Sequence, residues 1–269
     1  MSNTFVRTLI AILFIPIILG VCVGGKFFFL GFTLIIGTLA YYEFISMANK
    51  KDVSGSLIIG LPAVVTLVLN AYFNFVEFSS LIFFIVFIVL LHELFRNKKS
   101  AILNLGVNFL GILYIGVFVS AFILLREYFF DYQHGAMVII SMLATIWICD
   151  SAAYFFGLSF GKHRLFLRVS PKKSWEGAIA GFIFSILTML AAKLLVVDFL
   201  SWQNVIIIGF ILGTVGQVGD LIESLLKRDA GVKDSSNIIP GHGGIFDRFD
   251  SLIFSVPIVY LYIKYFISR

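Results

Sequence analysis

Long, continuously apolar segments separated by short polar breaks dominate the chain. A helix needs about 20 apolar residues to cross some 30 Å of hydrocarbon, whereas barrel strands alternate in shorter runs. The breaks are clusters of Gly, Lys, Asn or Asp, such as Gly24-Gly25-Lys26. The pattern predicts an all-α polytopic membrane protein with about nine transmembrane helices. The predicted spans are residues 8–24, 27–47, 56–73, 78–95, 101–125, 135–158, 175–197, 202–226 and 249–267.

The first apolar run follows Arg7 and superficially fits a signal peptide. No small-x-small cleavage site follows it, so we interpret it as a retained span. No internal repeat or linker interrupts the rest of the sequence. The chain is therefore predicted to be a single membrane domain over residues 1–269, with N-terminal spans in 1–125 and the chemistry-bearing spans and loops in 135–269.

Composition supports lipid as the solvent. Hydrophobic residues make up 60% of the 269 positions and charged residues 13%, against roughly 45–50% and 25% in soluble domains. The formal net charge of +5 could indicate nucleic-acid binding, but basic residues accumulate on the cytoplasmic side of membrane proteins. We expect no nucleic-acid partner. Cys22 and Cys149 lie inside apolar runs and are interpreted as packing residues.

The basic residues divide unevenly between the two sides that nine spans would create. Fifteen of the 20 lysines and arginines fall on the side of the N-terminus, and the rule that cytoplasmic loops are basic makes that side cytoplasmic. The C-terminus is then expected outside the cell membrane. The five on the far side are Lys26, Arg126, Lys193, Lys264 and Arg269.

Two loops on the basic side, residues 161–177 and 227–250, are more polar than a connection requires. Acidic residues accompany them inside predicted spans: Asp150 in the sixth and Asp220 in the eighth. A carboxylate in a spanning helix costs on the order of 2.5–3.5 kcal/mol on insertion scales, so a functional role is the default interpretation. For Asp150, which lies about three helical turns before Gly161, a structural carboxylate paired with a lysine such as Lys162 is the alternative.

In the eighth span, Asp220, Glu223, Ser224 and Lys227 follow the spacing of one helix face. The stripe extends backwards through three glycines, which we interpret as helix-packing positions. A small face that ends in a carboxylate is a suitable place for a metal ligand inside a bundle. The glycines are Gly209, Gly213 and Gly216.

The second loop contains a glycine-rich stretch, residues 240–244, directly before Asp247, Arg248 and Asp250. Glycines let backbone amides approach an anion, and a helix N-terminus favours negative charge. Alone the stretch would be a turn, but cations and carboxylates surround it, which indicates a polyphosphate site bridged by Mg²⁺. Zinc is excluded because His242 has no Cys or His companion. Headgroup contact remains the better interpretation for Lys50, Lys51, Arg96, Lys98 and Lys99, which have no acidic neighbours.

Residues 224–250 resemble the complete motif of phosphatidate cytidylyltransferases, the CDP-diacylglycerol synthases. All eleven fixed positions are filled: Ser224, Lys227, Arg228, Lys233, Asp234, His242, Gly243, Gly244, Asp247, Arg248 and Asp250. A second block is similar to the bacterial members, and the two blocks cover about a fifth of the chain. It comprises Asp150, Ala153-Tyr154, Gly157, Gly161-Lys162 and residues 170–177.

The resemblance implies transfer of CMP from CTP to phosphatidate, a homodimer in the inner membrane, and a polar funnel that opens to the cytoplasm. It implies Mg²⁺ held by Asp220 and Asp247, with a second cation left open, and phosphate contacts from Lys227, Arg228 and Arg248. The remaining expected substrate-binding residues are Asp150, Ser170, Lys172, Lys173, Ser224, Lys233, Asp234, His242, Gly243, Gly244 and Asp250.

Two other functions compete with this one. A CTP-dependent polyprenol kinase would transfer the γ-phosphoryl group and release CDP, and the complete motif argues against it. A transporter would use Asp150 and Asp220 to carry ions. Paired repeats and broken helices are typical of transporters, and the sequence shows no repeat.

Overall fold

The computed structural model describes residues 3–98, 100–239 and 243–267, with side chains from residue 12 onward. A helix lies at each of the nine predicted spans, and its ends fall within a few residues of the predicted ones. The helices are α1 Asn3–Gly24, α2 Lys26–Ala48, α3 Leu57–Phe73, α4 Phe78–Arg96, α5 Ala101–Arg126, α6 Tyr132–Phe160, α7 Trp175–Leu195, α8 Trp202–Asp229 and α9 Phe246–Phe266.

The all-α, polytopic class is confirmed. Among the described residues, seven helices are long and apolar enough to cross a membrane: α2 and α4 to α9. The apolar part of α1, Ile12–Gly24, and α3 are shorter, so the count of nine spans stays a prediction. Large apolar side chains on α4, such as Phe83, Phe84 and Phe95, are exposed, as expected for a surface that faces lipid.

The chain forms two compact units. Unit 1 comprises Met1–Leu124 and Lys227–Phe249, and unit 2 comprises Leu125–Leu226 and Asp250–Arg269. The second polar loop therefore belongs to the same unit as the N-terminal helices. The boundary after Leu124 lies near the end of the predicted N-terminal spans, residues 1–125. That residues 227–249 belong to the same unit as those spans was not predicted.

In unit 1, α2 packs against α3 and α5 around the fully buried Tyr41. A Cβ at Gly60 of α3 would overlap the Tyr41 hydroxyl, and one at Gly111 of α5 would lie 2.8 Å from its ring. Glycine at both positions lets the three helices close around one aromatic side chain. This core holds α2 in place, and α2 in turn reaches the second polar loop.

In unit 2, α7 packs against both α6 and α8. Two glycines of α8 face α7 closely. A Cβ added to Gly209 would lie 3.0 Å from the Ile186 Cα, and a Cβ added to Gly213 would overlap the Ser185 hydroxyl. Ser185 also donates a hydrogen bond of 2.8 Å to the Gly209 carbonyl. The packing role predicted for these two glycines is confirmed.

The third glycine of the stripe points elsewhere. Residues Leu212–Gly216 of α8 form a π-helical segment, whose wider turn changes the register of everything after it. An added Cβ at Gly216 would meet only Ser251 of α9, at 3.9 Å. The stripe predicted from regular α-helical spacing is thus interrupted between Gly213 and Gly216.

The first polar loop contains a short antiparallel hairpin, with β1 Arg164–Phe166 paired to β2 Ser170–Ser174. Only a loop was predicted here, because strands of three and five residues are too short to show a clear alternation of apolar and polar residues. The hairpin ends at Ser174, whose side chain accepts a hydrogen bond of 3.2 Å from the Gly177 amide at the start of α7. It therefore connects directly into a spanning helix.

Candidate functional site

Three acidic side chains of unit 2 form a compact group, named here the carboxylate cluster: Asp220 and Glu223 of α8 and Asp250 of α9. Each offers a ligand atom within 4.8 Å of the others. Glu223 is fully buried, whereas Asp220 and Asp250 are half-buried. One turn of α8 presents the first two because three-residue spacing keeps side chains on one face.

A glycine lets the two helices of the carboxylate cluster approach each other. A Cβ added to Gly219 of α8 would lie 2.6 Å from the Phe254 Cβ and 3.1 Å from the Asp250 carbonyl oxygen of α9. Any larger residue would push α9 away at the level of Asp250. Gly219, the residue before the predicted ligand Asp220, therefore allows Asp250 to lie close to Asp220.

Lys173 of the hairpin reaches the carboxylate cluster. Its ammonium lies 2.5 Å from the Asp220 carboxylate, and the Ser224 hydroxyl lies 3.4 Å from the other Asp220 oxygen. Three acidic side chains face a single ammonium there, and carboxyl oxygens this close together are suited to hold a further cation. The structure thus brings together four of the predicted site residues: Lys173, Asp220, Ser224 and Asp250.

The other predicted residues of the second block lie nearby in sequence but have different surroundings. Lys172, the neighbour of Lys173, is exposed, and Ser170 is half-buried. Asp150 is exposed on α6. Its neighbour Cys149 is buried, and a Cβ at Gly181 of α7 would lie 3.0 Å from the Cys149 carbonyl oxygen. The functional and structural interpretations of Asp150 both stay open.

In unit 1, Asp247 organises the second polar loop, residues 227–250, named here the signature loop. Its carboxylate accepts hydrogen bonds from the Lys227 ammonium at 2.7 Å, from the Ser235 amide and hydroxyl at 2.9 Å each, and from the Gly244 amide at 2.7 Å. The side chain is 4% exposed. A buried carboxylate with one cation and three neutral donors is strongly stabilised in its charged form.

Gly243 permits this arrangement for two reasons. Its φ is +82°, a region that side chains with a Cβ rarely adopt. An added Cβ would also lie 2.6 Å from the Asp247 Oδ2 atom. The glycine expected from the motif is therefore required by the backbone turn and by the carboxylate that the turn encloses.

The remaining charged residues of the signature loop are accessible. Arg228, Lys233, Asp234 and Arg248 are exposed, and the Arg228 guanidinium donates a hydrogen bond of 3.1 Å to the Val232 carbonyl. Accessible cations are suitable for phosphate contacts. His242, which was also predicted to bind substrate, lies outside the described residues together with Pro240 and Gly241.

Sequence reasoning missed Glu43 of α2. It is fully buried, and its two oxygens accept hydrogen bonds from the Ser235 and Ser236 hydroxyls at 2.9 and 2.7 Å. They also accept from the backbone amides of Ile245 and Phe246 at 2.9 and 2.8 Å. The signal was present, because an acid inside a predicted span is the criterion that selected Asp150 and Asp220. Glu223 was placed on the stripe but not assigned to the site.

The carboxylate cluster is suited to a hard divalent cation. Carboxylate oxygens are the ligands that Mg²⁺ prefers, and it binds through one or two of them together with substrate phosphates. Three such oxygens within 4.8 Å satisfy that requirement without any Cys or His. The described residues therefore fit the predicted Mg²⁺.

Comparisons with known proteins identify relatives over nearly the whole chain. Residues 5–266 match the model of the cytidylyltransferase family. A phosphatidate cytidylyltransferase of Bacillus subtilis (strain 168) is 34% identical over 268 residues, which cover 97% of each chain. One of Staphylococcus aureus (strain COL) is 34% identical over 260 residues, covering 94% of this chain and 96% of its own.

Proposed function

Because this chain belongs to the cytidylyltransferase family, we propose that it transfers CMP from CTP to phosphatidate and releases CDP-diacylglycerol and pyrophosphate. The observation that carries the proposal is the carboxylate cluster with Lys173 beside it, in a membrane protein whose full-length relatives have this activity in their names. An acidic centre that calls for a cation fits a reaction between two phosphate anions.

The reaction makes few demands on proton transfer. A phosphate oxygen of phosphatidate attacks the α-phosphorus of CTP, a new P–O bond forms, and the bond to the bridging oxygen of the β-phosphate breaks. The second pKa of a phosphate monoester is about 6, so the nucleophile is largely ionised at pH 7 without a general base. Positioning and charge neutralisation are what the protein must supply.

We assign neutralisation to the basic residues of the two polar loops. Exposed Arg228 and Arg248 of the signature loop are available to CTP phosphates. Lys227, at the start of the same loop, donates a hydrogen bond to Asp247. Lys172 and Lys173 of the hairpin are assigned to the triphosphate or the lipid phosphate. Lys233, His242, Asp150, Ser170, Ser224 and Asp234 complete the proposed substrate contacts.

We assign Mg²⁺ to Asp220. Bound there, the ion would neutralise charge on the polyphosphate. The resemblance adds Asp247 as its fellow ligand, while the described geometry adds Glu223 and Asp250. Metal titration separates the two sets: a ligand substitution raises the Mg²⁺ concentration for half-maximal activity, whereas loss of an organising carboxylate lowers the rate at every Mg²⁺ concentration.

We also propose a cytoplasmic N-terminus, an external C-terminus and an active site that faces the cytoplasm, because basic residues concentrate in the loops of that side. Phosphatidate would enter from the bilayer, since the site lies next to spanning helices. A homodimer is proposed from the resemblance. The dimer is tested by measuring the molecular mass of the protein–detergent complex and subtracting the mass of the bound detergent.

The decisive experiment supplies purified protein with phosphatidate, CTP labelled at the α- and γ-phosphates, and Mg²⁺. The proposal requires the α-label in the lipid and the γ-label in pyrophosphate. A CTP-dependent kinase would instead place the γ-label in the lipid and release CDP. A transporter would release no pyrophosphate in response to CTP, which would contradict the proposal.

A further inference from the structure

The N-terminal helices contribute a buried carboxyl group to the signature loop. Glu43 lies on α2, about 190 residues before its partners in sequence, and has four donor groups within 2.7–2.9 Å. Each carboxyl oxygen faces one hydroxyl and one backbone amide. The Ser236 hydroxyl and the two amides donate to Glu43, whereas the single proton of the Ser235 hydroxyl is shared with Asp247.

The donors to Glu43 lie on both sides of the glycine-rich stretch along the chain. Ser235 and Ser236 precede residues 240–244, and the amides of Ile245 and Phe246 follow them at the start of α9. Glu43 therefore holds the described residues before and after that stretch together. The negative charge also lies at a helix N-terminus, where it is favoured.

Ser235 links Glu43 to Asp247. The Ser235 hydroxyl lies 2.9 Å from a carboxylate oxygen of each residue, and the Ser235 amide donates to Asp247. Gly244 is enclosed by the same groups, since an added Cβ would overlap Glu43 and the Ser235 hydroxyl. A change at Glu43 must therefore move atoms that touch Asp247.

We propose that Glu43 is a positioning residue of the cytidylyltransferase reaction, and the proposal rests on the function proposed above. It fixes the signature loop on α2, and through Ser235 and the amides of 245–246 it sets where Asp247 and Gly244 stand. This gives the N-terminal helices, which carry no chemistry of their own in the motif, a defined part in the reaction. Glu43 itself does not touch substrate.

Glu43→Gln tests this with Glu93→Gln as the matched control. Glu93 is another buried acid of unit 1, held on α4 by Asn104 at 2.6 Å and Arg96 at 3.4 Å. Loop order is measured by tryptic cleavage after the exposed Lys233, relative to cleavage after exposed Arg168 of the hairpin. The relative rate of cleavage after Lys233 should rise roughly tenfold or more in Glu43→Gln, the factor expected from the loss of one charge-assisted hydrogen bond. It should stay unchanged in Glu93→Gln.

Turnover is measured in parallel at temperatures well below the melting transition of each variant. Glu43→Gln should lower kcat by about tenfold or more, while Glu93→Gln stays within about twofold of the wild type. The effects of Ser236→Ala and Glu43→Gln should not add, because the two changes act on the same contact, whereas the effect of Ser236→Ala should add to that of Glu93→Gln.

Two results would overturn the proposal. One is a Glu43→Gln protein with normal cleavage and normal kcat; the other is an equal change of both quantities in Glu93→Gln, which would indicate general loosening. If Glu43→Gln does not accumulate, Ser236→Ala alone must raise cleavage after Lys233, and an unchanged rate refutes the role. The cleavage assay needs no activity, so a wild type without pyrophosphate release would contradict the proposed function and leave the positioning test decisive.

Discussion

Asp220 and Asp247 were predicted to share one role, yet their surroundings differ. Asp220 is half-buried beside two further carboxylates, and its described partners are the side chains of Lys173 and Ser224. Asp247 is almost fully buried and surrounded by donors, two of them backbone amides. A carboxylate among carboxylates favours a cation, whereas one among amides orders a loop.

We expect Asp220→Asn and Asp247→Asn each to reduce turnover by roughly 10²-fold or more while the protein stays folded in membranes. The amide keeps the shape but removes the charge. The assay follows pyrophosphate release over a Mg²⁺ titration, with chelator addition as the control for metal dependence. Near-normal activity of either variant at every Mg²⁺ concentration of the titration would remove that residue from the proposed site.

Lys173 and Lys172 provide a matched pair of adjacent lysines. Only Lys173 is described in contact with Asp220, at 2.5 Å, while Lys172 is exposed. Lys173→Met should lower kcat by about 10²-fold, because the carboxylate cluster loses its ammonium. Lys172→Met should act mainly on KM for one of the two substrates. Equal effects on kcat would show that the contact has no special part in turnover.

Asp150 is exposed on a spanning helix, which is costly unless a site or a cavity uses it. We expect Asp150→Asn to keep expression and thermal stability but to lose most CTP-dependent turnover. Melting temperature and pyrophosphate release, measured on the same preparation, separate the alternatives. A variant that unfolds, while its surviving molecules turn over normally, would make Asp150 a structural residue.

At the scale of elements, the π-helical segment of α8 has the largest consequence. It contains both Gly213, which faces α7 as Gly209 does, and Gly216, which faces α9 as Gly219 does. One continuous helix therefore packs against two neighbours with two sets of glycines. The π segment ends just before the turn that carries Asp220 and Glu223, and π segments are frequent near functional sites.

Gly213→Ala should destabilise the protein by about 1–3 kcal/mol, since its methyl group would overlap the Ser185 hydroxyl in a filled interface. Thermal unfolding in detergent measures the effect. The control is Gly106→Ala on α5, where an added Cβ meets nothing within 4 Å. That variant should be neutral or stabilised by up to about 1 kcal/mol, because glycine lowers helix stability. Equal melting temperatures would contradict the packing role.

At the scale of the whole molecule, the chain returns to its first unit after building most of its second. Residues 227–249 join Met1–Leu124 in unit 1. The signature loop is consequently held by a helix from the beginning of the sequence, through Glu43.

The membrane orientation gives a prediction at this scale. Single cysteines at Lys98 and at Arg269, which lies outside the described residues, should react with an impermeant reagent from opposite faces of intact cells. The physical reason is the concentration of 15 of 20 basic residues on one side. Cys22 and Cys149 are buried and are replaced in the background. Labelling from one face would mean that an even number of spans separates the two positions.

The positions of the helices, the family and most of the candidate chemistry could be predicted from the amino-acid sequence. Continuous apolar runs of helical length are a local property, so the nine helix positions could be predicted from hydropathy alone. The confirmed family followed from residues 224–250, because a motif of fixed identities is also local. In the same way, the acids Asp150 and Asp220 stand out against their apolar neighbours.

Only the tertiary structure decided which of these residues meet. Glu43 and Ser235 are almost two hundred positions apart, and no spacing rule connects them. The grouping of Asp220 with Glu223 and Asp250 depends on how closely α9 approaches Gly219, and the two faces of α8 depend on a π turn that leaves no pattern in hydropathy. The physical reason is common to all three. Hydropathy and motifs depend on residues that are close in sequence. Contacts between distant segments depend instead on the packing of the complete fold.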